Sequence, residues 1–390
     1  MTDTADVVVI GGGVQGASLA FHLASRGASV VIVERSSVAA GATGRSSGLV
    51  RVYYDLLAEA RLAAISREWF RHWDERVGGD CGFTRTGFLW IEPGEAADRV
   101  RANVASHREL GVESEVVDAA AMRQLAPGLA VDDDEVAAWE SESGYADPSM
   151  TASGFARAAR AMGARLLQGA EVTAIRAAGG RVEGVDTTKG SIDAPVVVNA
   201  AGGWAGRVAA LAGLEIPLTV WRHDTGYLGV PLSVARPIPV VIDIANSMYF
   251  RPEGSEMVLV GLEDDNEMGG SPDADTASAA AAFHDRAAER IVRRVPGLID
   301  GTFRTSHSGQ DGLTTADQRP MLGPAGPGGF YLDCGHSGTG FKTAPAVGLA
   351  MAELILDGVA TSVDIGPFSY SRCVEGRPLQ GEHGGAPIWR

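Results

Sequence analysis

Apolar positions recur along this chain with two periods, and their order outlines the architecture. DVVVI at 6–10 is a short β-branched run, as expected of a strand buried on both faces. Glycines follow, and then ASLAFHLASRG brings Leu19, Phe21, Leu23 and Ala24 round at helical spacing until Gly27 stops the turn. SVVIVE resumes a buried strand that ends on Glu34, completing one strand–helix–strand unit. Residues 54–78 carry the pattern of one long amphipathic helix, and GFLWI at 87–91 that of a strand. The stretch from there to about 130 reads as helical and charged. Residues 181–202 predict strand, turn and strand, closing on the apolar run Val196 to Val198. From Pro217 to about Val260 alternating short strands with prolines at turns are expected, and residues 276–295 return to a helix. GFYLDCG at 329–335 is a further buried strand, and APAVGLAMAELILDG a further helix. The Gly/Pro-rich stretch from Glu375 to Arg390 is expected to be a loose or docking tail.

This order leaves a nucleotide-type α/β unit, visits a β-rich insert and returns, which suits two interleaved domains in a chain of 390 residues. A net charge of −16 argues against nucleic-acid or anionic-membrane partners, both of which need a basic surface. Cys81, Cys334 and Cys373 are widely spaced and odd in number, so neither a disulfide framework nor a zinc pattern is expected. The first apolar run is too short for a signal segment or a membrane span, and a cytoplasmic location is the expectation.

Gly11-Gly12-Gly13-Val14-Gln15-Gly16 satisfies GxGxxG between a strand and a helix start, with Glu34 at the end of the second strand. Such glycines let backbone N–H groups approach a pyrophosphate at a helix N-terminus, and Glu34 can accept from both ribose hydroxyls. A second glycine cluster, GATGRSSG at 41–48, follows directly, and a third, GHSGTGF at 335–341, comes near the other end. Amides supplied from both chain ends suit a large buried cofactor such as FAD. The third cluster ends on Lys342, one of two lysines beside Lys189 in a chain of 33 basic residues. A compact, deprotonatable ammonium at that place points to chemistry rather than to charge alone.

The segments DVVVIGGGVQGASLAFHLASRGASVVIVER, GATGRSSGLVR, VVVNAAGGWAG, MYFRPEG, TTADQRPMLGP and GFYLDCGHSGTGFK resemble the glycine oxidase, sarcosine oxidase and D-amino-acid oxidase family of flavoproteins. The nearest likeness is to the monomeric sarcosine oxidase and sarcosine oxidase β-subunit branch. The resemblance implies an α/β plus β fold, with a Rossmann-like FAD-binding domain (1–82, 146–217 and 317–372) interleaved with a substrate domain on a large mixed β-sheet (83–145 and 218–316). Residues 373–390 form the tail.

It also implies that Arg51 and Lys342 grip a substrate carboxylate, with Tyr249 beside the substrate. Cofactor contacts fall on Gly11, Gly13, Val14, Gln15 and Gly16, and on Glu34, Arg35 and Ser36. They continue through Thr43, Gly44, Arg45, Ser46, Ser47, Gly48 and Leu49, then Val172, Ala201, Gly202 and Trp204. The third cluster adds Gly338, Thr339, Gly340, Phe341 and Lys342, with the amides from Gly338 to Phe341 facing the flavin pyrimidine. His336 is expected in a structural, backbone-contacting role. The implied reaction is oxidation of the C–N bond of an amino or imino acid by hydride transfer to flavin N5. It gives an imine that water hydrolyses, with oxygen or another acceptor taking the electrons.

Three departures from the family pattern change the expectations. The position of a covalently attaching histidine reads Arg45, and SHSGQDGL before Thr315 has no cysteine, so noncovalent FAD is expected. The oxygen-activating lysine of monomeric sarcosine oxidases would fall near Leu259, yet Met257 to Leu262 contains no lysine, which puts efficient use of oxygen in doubt and leaves both an oxidase and a dehydrogenase open. Gly312 and Thr339 stand where the family has a tyrosine and a histidine, implying a roomier pocket. A FAD monooxygenase and a non-catalytic flavoprotein subunit are the alternatives.

Overall fold

A computed structural model describes residues 3–384. Val7–Ile10 and Val30–Glu34 flank the helix Val14–Ser25, as the apolar pattern predicts, and Gly27 stops the turn at φ +83°. They join a six-stranded sheet in the order Arg165–Gln168, Val30–Glu34, Val7–Ile10, Val196–Asn199, Phe330–Cys334, Met321–Pro324. The first five strands are parallel and the last is antiparallel. Except in the half-exposed edge strand Arg165–Gln168, the central residues are buried. Helices cover one face and a small four-stranded sheet that includes Val172–Ala178 and Arg181–Thr187 covers the other, which is why the runs are apolar without alternation. The helix Val14–Ser25 packs between Pro148–Ala161 and Gly340–Asp357, and the Ser18 hydroxyl donates to the Ala344 carbonyl at 2.8 Å across one of these contacts.

An eight-stranded sheet forms the second layer, in the order Phe303–Thr314, Leu218–Gly229, Met257–Leu262, Met248–Glu253, Val240–Asp243, Phe88–Glu92, Val136–Glu140, Glu115–Asp118. Its pairings are antiparallel except that Val240–Asp243 runs parallel to Phe88–Glu92. One face packs on the helix Ala281–Arg294 through Phe250, Val260 and Ile291; the other holds Trp90, Tyr249 and Leu259.

Several elements differ from expectation. The region 54–78 is not one helix: Leu57–Arg71 ends at His72, whose φ −115° and ψ 35° break the turn, and Trp73–Arg76 is a separate short helix. The charged stretch before 130 holds two helices, Ala97–Glu109 and Ala119–Leu125, around the edge strand Glu115–Asp118. Within the supposed run of short strands, Leu218–Gly229 is twelve residues long. Phe303–Thr314, of equal length, pairs along it in antiparallel register.

The tail is docked as far as it is described. Glu382 accepts the Leu57 N–H at 2.8 Å at the start of that helix, and His383 Nε2 lies 2.9 Å from the Ser106 hydroxyl. The last six residues of the expected tail lie outside the described residues. No helix among the described residues is long and apolar enough to cross a membrane.

Candidate cofactor and substrate site

A cavity of about 700 Å³ runs from the C-terminal ends of the parallel strands to the face of the eight-stranded sheet. Its nucleotide end is lined by Gly11, Gly13, Val14, Gln15, Glu34, Arg35 and Ser36, with Val172 opposite. Gly11 sits at φ +113°, and a Cβ there would overlap the Ala200 carbonyl oxygen, so the chain turns here only with glycine. Glu34 is fixed by two backbone donors, Gly12 N–H to Oε2 and Ser36 N–H to Oε1, both at 2.7 Å. Each carboxylate oxygen keeps a lone pair for a ribose hydroxyl. Thr43 accepts the Val14 N–H at 3.0 Å and ties the second glycine cluster to the helix start.

Gln15 Oε1 and Asp333 Oδ2 are buried without a hydrogen-bond partner, and both residues line the cavity. Two unsatisfied acceptors, a glycine turn with no space for side chains and a fixed acidic group at a strand end fit a dinucleotide with donors along its length. Thr43, Arg45, Ser46, Ser47, Ala201, Gly202 and Trp204 line the middle of the cavity, and Gly338, Gly340 and Phe341 close its helix side. Gly16, Gly44, Gly48, Leu49 and Thr339, also expected as contacts, are not part of this lining.

Asp273, on a loop of the second layer, reaches Arg35 and Trp204, which line the cavity. It accepts from Trp204 Nε1 at 2.8 Å and pairs with Arg207 at 2.5 Å and Arg35 at 2.9 Å. The Arg207, Trp204 and Arg35 donors hold its carboxyl down at about 2. The Arg35 guanidinium in turn lies 4.3 Å from the centre of the Trp204 ring.

At the far end the wall is Trp221, His223 and Tyr249. His223 Nε2 lies 2.6 Å from the Tyr249 hydroxyl, with the rings stacked at 5.5 Å. Desolvation pushes the His223 imidazole down to about 4, and it raises the Tyr249 phenol, so both are neutral at pH 7. Tyr249 pairs across the sheet with Gly261, where a Cβ would overlap its ring. That glycine is what lets the phenol lie flat on the sheet.

The third cluster differs in detail from expectation. The helix begins at Gly340; the Gly338 N–H donates to Asp311 Oδ2 at 2.8 Å, and the Thr339 N–H to the His336 carbonyl at 2.9 Å. Burial raises the Asp311 carboxyl above the ordinary range. The His336 main chain makes the expected backbone contacts, while its ring meets side chains, with Nε2 3.0 Å from Asp333 Oδ1 and Nδ1 3.3 Å from Gln15 Nε2.

Arg51 and Lys342 come together, but neither lines the open cavity. Arg51 is 1 % exposed and packed 4.3 Å from the Tyr54 ring centre, with Phe88 and Trp90 beyond. One of its nitrogens donates to the Tyr53 carbonyl; Nε and Nη2 are buried without partners. Lys342 is 4 % exposed, with Nζ 5.8 Å from the same Tyr54 ring centre. Burial, and then the Arg51 charge, hold its ammonium well below the ordinary lysine range. Neither cation closes an ion pair among the described residues, whereas nearby Arg319 binds both Asp55 and Glu59.

Trp221, His223, Asp311 and Asp333 are site residues that the glycine motifs do not point to. The first two share a face with Thr225 and Tyr227 at every second position of Leu218–Gly229, a period-two signal present in the sequence.

The family model described as DAO, FAD dependent oxidoreductase, matches residues 6–354. Human mitochondrial sarcosine dehydrogenase is 32% identical over 381 residues, covering 92% of this chain and 40% of that protein. The chain thus spans less than half the length of that relative. The sarcosine oxidase subunit beta of Rhodobacter capsulatus is 26% identical over 366 residues, covering 90% of this chain and 85% of that one. Among solved structures, L-proline dehydrogenase from P. horikoshii superposes with a TM-score of 0.90 at 26% identity, over 97% of this chain and all of the other. Glycine oxidase from Geobacillus kaustophilus gives 0.83 at 26% identity, over 95% and 99%.

Proposed function

The chain belongs to the DAO family of FAD-dependent oxidoreductases, and from that premise we propose that it oxidises the C–N bond of an amino or imino acid to an imine. The observation that carries this reading is the buried pair Arg51 and Lys342. Two desolvated basic groups side by side repel each other, and although Glu59 and Asp311 act on Lys342 no ion pair closes on either, so a ligand carboxylate relieves both the repulsion and the unsatisfied guanidinium donors. FAD, when bound, supplies the hydride acceptor.

The chain's own residues do the rest. Gly11 to Gln15 and Glu34 hold the nucleotide end, and the amides at the start of the helix Gly340–Asp357 offer positive potential at the opposite end. Arg51 and Lys342 fix the carboxylate, and with it the angle at which the C–H is presented. Hydride leaves only from an amine whose nitrogen has a free lone pair. The neutral His223 imidazole, hydrogen-bonded to Tyr249, resists protonation and so leaves the substrate nitrogen facing an uncharged partner, which favours the neutral amine. The aromatic wall of Trp221 and Tyr249 excludes water there.

Segments 1–82, 146–217 and 317–372 would form the cofactor domain, and 83–145 with 218–316 the substrate domain. Leu259 is fully buried within the apolar face, in a strand that contains no lysine, and this favours a dehydrogenase passing electrons to an acceptor other than oxygen. The test is anaerobic bleaching of the bound flavin by a panel of amino and N-methylamino acids. Bleaching by acids but not by the matching amides supports the reading, and absence of bleaching by the whole panel refutes it.

A further inference from the structure

One row of the eight-stranded sheet carries a buried acid where the neighbouring row is aromatic. Register places Trp90, Ile242, Tyr249 and Gly261 side by side across four strands. Two residues beyond Gly261, the Glu263 N–H donates to the Ser247 carbonyl at 2.9 Å and continues the ladder. Strand alternation therefore puts the Glu263 side chain on the same face as Gly261 and Tyr249. It is 5 % exposed, and its Oε1 is buried without a hydrogen-bond partner. An unsatisfied buried carboxyl is rare enough to require a reason.

We propose that Glu263 receives the substrate amine, so that this site selects amino acids whose nitrogen keeps an N–H over those with a fully substituted nitrogen. The proposal rests on the C–N oxidation reading above. Among the groups acting on Glu263, Arg51 is the strongest opposing charge, while Asp243, Asp264 and Glu92 repel it. Burial is larger than any of these and, with the three acids, holds the carboxyl well above the ordinary range. Glu263 in turn acts on the Tyr249 phenol.

The orphaned Oε1 and the orphaned Nε and Nη2 of Arg51, whose charge acts on Glu263, have complementary needs. An amino acid meets both with one molecule: its carboxylate takes the guanidinium donors, and its nitrogen, one carbon away, offers an N–H to Glu263. In the neutral amine that yields hydride, a primary or secondary nitrogen still has that hydrogen. A tertiary nitrogen does not, and it leaves a buried acceptor unpaired.

The experiment uses the FAD-loaded protein and follows anaerobic flavin bleaching by glycine, N-methylglycine and N,N-dimethylglycine. Wild type is compared with Glu263→Gln, which keeps a carbonyl acceptor, and with Glu263→Ala and Glu263→Leu, which remove it; Leu replaces Ala if Ala does not fold. The expected result is a wild-type preference for the N–H-bearing substrates of roughly 10–100-fold, the worth of one hydrogen bond to a polarised buried group. The preference should survive in Gln and collapse to about threefold or less in Ala or Leu, with the loss in apparent Kd rather than in the limiting rate. A preference retained without the acceptor, or lost equally in Gln, overturns the proposal. Equal bleaching of wild type by all three overturns it alone, whereas no bleaching at all overturns the oxidation reading and this proposal together.

Discussion

Lys342→Met is expected to move stability and substrate binding in opposite directions. The wild-type ammonium is 4 % exposed, faces the Tyr54 ring, and is repelled by Arg51. Glu59 and Asp311 offset only part of this, so replacing the buried charge by an apolar side chain of similar length stabilises by about 1–3 kcal/mol, which raises the thermal midpoint by a few degrees. The sign of the pH dependence follows from the lowered pKa. Between the folded value and the unfolded value near ~10.4, the unfolded chain binds more protons. Wild-type stability therefore climbs with pH across that window, and the variant loses the climb. Substrate binding goes the other way, because the carboxylate keeps only one of its two cations. The loss should be about 2–4 kcal/mol, or roughly 30- to 1,000-fold in kcat/KM. Scanning calorimetry from pH 6 to 10 and stopped-flow bleaching, on protein with full FAD content, read the two effects separately. A variant less stable than wild type at pH 7 would show that the attraction of Glu59 and Asp311 outweighs burial and the Arg51 repulsion. Unchanged kcat/KM would show that the carboxylate binds elsewhere.

Acid precipitation should release yellow FAD into the supernatant, because the attachment position is Arg45; colour retained in the pellet would contradict noncovalent binding. Asp273→Asn should speed FAD loss by about 2- to 5-fold, the modest effect expected of half-exposed pairs, as read by flavin fluorescence on dilution. Reoxidation of the reduced enzyme by oxygen should be slower than in a lysine-bearing oxidase, since no cation stands at Leu259 to stabilise a superoxide-like anion. Stopped-flow mixing with oxygen decides this, and an equal rate would mean that another cation serves.

The nucleotide half was legible because its strands are buried on both faces. Val7–Ile10, Val30–Glu34 and Val196–Asn199 are apolar at nearly every position, and no polar side chain obscures them. The substrate half was harder to read for a physical reason. Leu218–Gly229 and Phe303–Thr314 place His223 and Asp311 on the face toward the cavity and Arg222, Asp224 and Gln310 on the other, so polar residues interrupt the apolar signal in strands that are nonetheless mostly covered. Asp311 was missed with its strand, whereas His223 lies in a region read as strands but carries no motif that marks it out. Glu263 was hidden differently. It begins the acidic run Glu263 to Asp265, which looks like a solvated turn until the register shows the first member pointing inward.

The one parallel pairing of the eight-stranded sheet also bears on how this protein is made. Phe88–Glu92 finds its outer partner Val136–Glu140 soon after synthesis, but its inner partner is Val240–Asp243. About 150 residues separate the two, a delay of roughly 8–30 s at ordinary elongation rates. During that time FLWIE presents an apolar edge with open N–H and C=O groups on a nascent chain. Pairings so distant in sequence also make assembly slow once the chain is free. Refolding yield from denaturant should therefore fall steeply with protein concentration, and a chaperone that shields strand edges should help most before residue 243 has left the ribosome.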